Sequence, residues 1–249
     1  MKSASSGSKL ADITEVRVLL NNTIADNVKR VRETIAEAAI KAGRKPDDIS
    51  LVAAAKTRSA DEVRYAIAAG VDSVGENRVQ EMLGKHAEGA YAGTPLHFIG
   101  SLQSNKVRQI VGVCDLIESV DSPELVALIG RKAVSLGIVQ NVLIEVNIGR
   151  EMQKSGILPE QTAEILELAS QTEGISILGF MAIPPIIDTN ERNCYYFDAM
   201  FQLFVDMSRK KYDNVSVQFL SMGMSDSYID AIRAGSNMVR IGSAIFGER

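Results

Sequence analysis

The sequence predicts a single α/β domain built as a closed parallel (β/α)8 barrel. Three observations carry that reading: eight short apolar or β-branched runs, helical patterns between them, and 249 residues, a length that one barrel fills. A doubly wound open sheet is the alternative, but such sheets usually hold fewer strands.

The first element is helical. From Leu10 to Lys41, Ile13, Val16, Leu20, Ile24, Val28, Val31, Ile35 and Ala38 recur every three or four positions, and Gly43 and Pro46 follow as stop signals. Residues 1–9, MKSASSGSK, are Ser-rich and read as a disordered tail ahead of a single domain over 10–249. They lack the apolar core of a signal peptide, and Asp12 and Glu15 argue against a transit peptide.

Strand-like runs then fall at 50–56, 73–77, 96–101, 116–121, 141–147, 177–184, 215–223 and 238–247. Between the first two, SADEVRYAIAAG (59–70) starts with Ser59 and has Glu62 three residues on, the capping-box spacing. SPELVALIGRKAVSLG (122–137) has Pro123 at the first helical position and Gly137 at its end. Phe197, Met200, Phe201 and Phe204, with Tyr195, read as core packing on a helix rather than as a cofactor box.

Composition excludes several classes. The formal net charge is -4 and no basic stripe carries interleaved aromatics, so nucleic acid is not an expected partner. No apolar run approaches the ~20 residues of a membrane span. Cys114 and Cys194 lie far apart without CxxC spacing, which predicts reduced thiols and a cytoplasmic setting. With two histidines and no metal-ligand spacing, no metal site is expected. His86 reads as solvated, and His97 as a hydrogen-bonded histidine rather than a general base.

In a parallel barrel the active site sits at the C-terminal ends of the strands. Lys56 ends the first run, where shielding favours the neutral amine that attacks an aldehyde. Position alone does not separate this from an ammonium that snorkels to the rim or pairs with Glu76. The seventh run leads through Gly223 to Ser225 and Asp226, and the eighth brings Gly242 and Ser243 to a strand end. Ordinary helix caps explain each turn separately, but the pair favours a phosphate cup. An imine-forming lysine and a phosphate cup suit either pyridoxal phosphate or a Schiff-base lyase for sugar phosphates. Arg240 bears on the choice: beside a cofactor ring nitrogen a guanidinium can only donate, keeping that nitrogen unprotonated and the cofactor a poor electron sink.

Seven co-linear motifs, between about Ile13 and Gly247, give the sequence a family resemblance: AAAKTR (53–58), VGENRVQE (74–81), HFIGSLQSNK (97–106), EVNIG with KSG (145–156), GFMAIP (179–184), SMGMSDSY (221–228) and MVRIGSAIFG (238–247). The chain resembles the pyridoxal phosphate homeostasis protein family. The resemblance implies the barrel of the alanine racemase N-terminal domain, fold type III among pyridoxal phosphate proteins. It also implies pyridoxal 5′-phosphate (PLP) held as an imine on Lys56. On that model the phosphate lies against Ser221, Gly242 and Ser243 with help from Met222 and Ser225, Arg240 faces the ring nitrogen, and Asn77 flanks the ring.

The family is understood as carrying the cofactor and regulating PLP (vitamin B6) and amino-acid homeostasis, without established catalytic turnover. Apo forms of PLP-dependent enzymes are the implied recipients, and a monomer is expected. The alternative is a PLP-dependent enzyme such as a slow amino-acid racemase. A two-base racemase takes its second acid/base from an added β domain of a partner subunit, for which no counterpart is expected here. One segment departs from the usual pattern: Gly149 and Arg150 stand where many members have a serine and an acidic residue. Glu151 and Lys154 remain, and a solvated loop is favoured there over a second, weaker PLP site.

Overall fold

The eight apolar runs pair edge to edge in chain order and close into one parallel barrel, the last strand returning to the first. The computed structural model describes residues 6–185 and 190–248, with side chains over 18–185 and 194–248. The strands are β1 (Ser50–Ala54), β2 (Ser73–Glu76), β3 (Leu96–Phe98), β4 (Leu116–Val120), β5 (Gln140–Val146), β6 (Ile175–Ala182), β7 (Val215–Ser221) and β8 (Met238–Ile241). The helices are α1 (Ser6–Lys41), α2 (Ala60–Ala68), α3 (Val79–Ala87), α4 (Val107–Ile110), α5 (Pro123–Leu136), α6 (Thr162–Ser170), α7 (Asn190–Ser208), α8 (Tyr228–Ala234) and α9 (Ser243–Phe246).

Alternation along each strand builds two cores. Leu51, Ala53, Ile117, Val142, Ile144, Phe180, Val239 and Ile241 point outward into the layer of helices. Their neighbours Val52, Leu116, Leu143, Met181 and Met238 point inward and fill the barrel below its mouth. Continuous apolar runs follow where both faces are buried, as on β4 and β5, whereas the first half of β7 alternates with Ser216 and Gln218 exposed.

Local chemistry sets the helix ends. Ser59 caps α2 and Glu62 returns to the Ser59 N–H at 2.8 Å, as the sequence spacing predicts. Ser122 caps α5, Pro123 opens it, and Gly137 ends it with φ 68°. Along α1, Ile24, Val28, Val31, Ile35 and Ala38 are buried against α2, α8 and α9. Ile13 and Val16 lie outside the described side chains. Of the tail expected over 1–9, residues 1–5 lie outside the described residues, and Ser6 begins α1.

Three expectations are corrected. The run at 238–247 is not one strand: β8 stops at Ile241 and Ser243–Phe246 form a helical turn, closed by the Ile245 and Phe246 amides on the Gly242 carbonyl. Ile245 and Phe246 are buried, so a one-turn helix reads as apolar as a strand. The first, third and seventh strands end at Ala54, Phe98 and Ser221, before the polar or glycine-containing tips of their predicted runs. On α7, Phe197 and Met200 are buried but Tyr195 is 67% exposed, because its position falls off the stripe that faces the barrel.

Candidate functional site

At the C-terminal ends of the strands the barrel opens into a cavity of about 560 Å³. Six of the eight predicted site residues line it: Lys56 after β1, Asn77 after β2, Ser225 after β7, Arg240 on β8, and Gly242 and Ser243 just beyond. Ile99, Ile183 and Met224 give apolar walls, while Arg58, Asp226 and Glu248 add charge.

Lys56 sits in a tight turn rather than on the strand. The Arg58 N–H closes the turn on the Ala55 carbonyl at 3.0 Å, with Lys56 and Thr57 as its central residues. Thr57 has φ 65°, a left-handed conformation in which glycine is usual and a β-branched residue is strained by roughly 1–3 kcal/mol. Helix α3 holds this turn. Glu81 Oε2 accepts the Thr57 N–H at 3.0 Å, and Lys85 Nζ donates to the Ala55 carbonyl at 2.9 Å. The Thr57 N–H is the main reason the Glu81 carboxyl is held below its ordinary range.

Lys85 is itself buried, donating at 2.6 Å to Glu76 Oε1, which also accepts the Tyr91 hydroxyl at 2.9 Å. Burial raises the Glu76 carboxyl, with Lys85 opposing it. Glu76 thus pairs with Lys85 outside the barrel wall, which corrects the rim pairing with Lys56 weighed from sequence.

Arg240 belongs to a polar layer inside the barrel. Its Nη1 donates to the Ser221 hydroxyl at 2.5 Å and Nη2 to the Ala182 carbonyl at 3.1 Å. Ser221 in turn donates to Glu118 Oε2 at 2.6 Å, while Glu118 Oε1 lies 2.7 Å from His97 Nδ1. Burial works to raise the Glu118 carboxyl, but His97, Arg240 and Ser221 outweigh it and hold the group below its usual range. Burial lowers the Arg240 guanidinium, with Glu118 and Glu145 opposing. Desolvation, reinforced by Asp121, pushes Glu145 up to about 7. His97 is the hydrogen-bonded histidine expected, and Glu118 is a residue the sequence reasoning missed. A glutamate at an inward position two residues after Leu116 was its signal.

The phosphate cup expected from sequence is only partly assembled. Ser225 Oγ accepts the Gly242 N–H at 3.3 Å and the Ala244 N–H at 3.4 Å, joining the two turns at one end of the cavity. A Cβ on Gly242 would lie 3.2 Å from the Ala54 carbonyl oxygen, so the bare backbone keeps this end open. Ser221 and Met222 do not line the cavity. The Ser221 hydroxyl points inward and is consumed by Glu118 and Arg240. Met222, one residue on, packs into the outer core, and its N–H is bonded to the Met238 carbonyl.

Three further residues shape the mouth. Arg58 lines the cavity; it donates to the Gly247 carbonyl at 2.5 Å and stacks 5.6 Å from the Phe246 ring centroid. Gly100 places Asn77, because a Cβ there would fall 2.1 Å from the Asn77 carbonyl oxygen. Lys154 pairs with Glu151 at 2.5 Å and donates to the Pro184 carbonyl at 3.1 Å, which ties the loop to the segment after β6 while Met152 and Gln153 stay exposed to solvent.

This geometry has relatives. The model of the alanine racemase N-terminal domain matches residues 21–249. A pyridoxal phosphate homeostasis protein of Aquifex aeolicus is 39% identical over 224 residues, covering 90% of this chain and 97% of the relative. That of Escherichia coli K12 is 37% identical, covering 92% and 97%. This chain belongs to the pyridoxal phosphate homeostasis protein family. Among solved structures, PipY of Synechococcus elongatus with PLP bound superimposes with a TM-score of 0.78 at 30% identity, over 90% of this chain and 100% of PipY. A protein of unknown function from Bifidobacterium adolescentis gives 0.87 at 36% identity, over 92% and 96%. Alanine racemases match at under 20% identity, over about 60% of their length, and share the barrel. Among the described residues no helix is long and apolar enough to cross a membrane.

Proposed function

We propose that this chain binds pyridoxal 5′-phosphate covalently through Lys56 and serves as a carrier that maintains PLP and amino-acid homeostasis. The observation that carries the reading is one cavity lined by a lysine amine, the Ser225, Gly242 and Ser243 turns, and a buried guanidinium. When bound, the cofactor supplies an aldehyde that condenses with a primary amine. Each donor fits: Lys56 offers that amine, the hydroxyls of Ser225 and Ser243 and the bare Gly242 backbone suit a phosphate, and Asn77 flanks the ring.

Arg240 is assigned to the ring nitrogen. It can donate and not accept, and Ser221, Ala182 and Glu118 hold it in place from below. That arrangement suits storage of the cofactor better than withdrawal of electrons from a substrate. Ser221 and Met222 act behind this site rather than on the phosphate.

The reading includes transfer to apo PLP-dependent enzymes, a cytoplasmic setting and a monomeric state. A slow racemase is the second reading, favoured by the two cavity carboxylates Asp226 and Glu248. Loading the protein with PLP and incubating it with L-alanine in deuterated water separates the two. The carrier reading predicts α-hydrogen exchange no faster than with free PLP, and activation of an added apo-enzyme. Exchange well above the free-cofactor rate would replace it with the enzyme reading.

A further inference from the structure

Lys56 owes its place to a turn that its own sequence disfavours. Thr57, the next residue, is β-branched yet held at φ 65°, and its N–H is taken by the Glu81 carboxylate at 3.0 Å. Four residues on, along the same face of α3, Lys85 donates to the carbonyl of Ala55. The two side chains therefore grip the peptide groups on either side of Lys56. Neither residue lines the cavity.

We propose that Glu81 is a positioning residue for cofactor attachment, acting with Lys85 to hold the Lys56–Thr57 turn so that the amine stays directed into the cavity. The proposal rests on the reading of Lys56 as the anchoring amine. Lys85 carries the fixed end of the clamp, being locked by Glu76 at 2.6 Å. Glu81 carries the adjustable end: its side chain is 25% exposed, and its second oxygen is shared with Arg78 at 3.0 Å. Without the carboxylate, Thr57 returns to the left-handed region only at the expense of its side-chain sterics, and Lys56 moves with it.

The test uses the full chain and four proteins: wild type, Glu81→Ala, Thr57→Gly and the double variant. Each is titrated with PLP and followed by visible absorption, with thermal unfolding as the control for folding. Glu81→Ala is expected to weaken PLP binding about tenfold, the effect of losing one hydrogen bond to a charged acceptor, with the fold retained. Glycine adopts a positive φ without steric cost, so Thr57→Gly in the Glu81→Ala background is expected to restore most of the affinity. Wild-type affinity in Glu81→Ala would overturn the proposal. So would a loss that Thr57→Gly leaves unrepaired, because Glu81 would then act through its charge rather than through the turn. A wild-type protein that takes up no PLP would remove the anchoring role of Lys56, and this positioning role with it; that outcome is distinct from equal binding by all four.

Discussion

Glu118 Oε2 lies 3.7 Å from Arg240 Nη1, both side chains being buried inside the barrel, with Arg240 lining the cavity and Glu118 behind it. Ser221 bridges the two, and His97 holds the other oxygen. Replacing Glu118 by Gln removes the carboxylate paired with a buried guanidinium, a loss of roughly 3–5 kcal/mol. Urea unfolding should show a lower midpoint at unchanged slope. The folded Glu118 carboxyl lies below its ordinary 4.5, so its contribution is present above that value and is lost as the pH falls through the folded one. Glu118→Gln should lack this part of the acid slope, and a variant as stable as wild type at neutral pH would contradict the account.

Glu145 works in the opposite sense. Its folded pKa is raised from 4.5 to about 7, so between those values the native state binds more protons than the unfolded chain and stability falls as the pH rises. Above about 7 the buried carboxylate is charged, and the accumulated loss is on the order of 3 kcal/mol. Glu145→Gln should therefore be more stable than wild type on the alkaline side and nearly equal to it below the unfolded pKa. Unfolding curves at about pH 4 and about pH 8 would check this, the contrary result being an equal effect at both.

Gly100 is required by a contact and not by its own dihedral. Its missing Cβ lets the Asn77 carbonyl approach to a distance that any side chain would forbid. Gly100→Ala should cost roughly 1–3 kcal/mol and weaken PLP binding by displacing Asn77. Thermal unfolding and a PLP titration read the two effects, and a variant unchanged in both would show that the mouth accommodates the methyl group.

Thiol reactivity gives a simple check on packing. Burial pushes the Cys114 thiol up to about 12, and its sulfur donates to the Ile110 carbonyl. Cys194 is half-buried. An aromatic disulfide reagent at mildly alkaline pH should titrate Cys194 in the native protein and both thiols after denaturation. Rapid native modification of Cys114 would contradict the described core.

The barrel was legible because burial on both faces leaves continuous apolar runs, and because Ser59, Pro123 and Gly137 mark helix ends by local chemistry alone. Lys56 and Arg240 stood out as charges where such runs should remain apolar. Ser221, set at the phosphate by the family resemblance, has its hydroxyl bonded to Glu118 and Arg240 inside the barrel, and no local pattern announces a partner more than a hundred residues away. The positive φ of Thr57 left no trace, since the residue types that mark such a turn are absent. Lys85 did leave one: Val79, Met82 and Lys85 share the buried stripe of α3, so a charge fell where an apolar residue was due.

The central claim is that Lys56 is the covalent anchor for PLP, and trapping that link tests it most directly. Purified protein is incubated with PLP, reduced with borohydride and digested for mass analysis, beside Lys56→Ala treated in the same way. The account predicts a visible band before reduction and one phosphopyridoxyl group on the peptide containing Lys56, with neither in the variant. A wild-type protein that remains colourless, or a label distributed over other lysines and retained in Lys56→Ala, would contradict it.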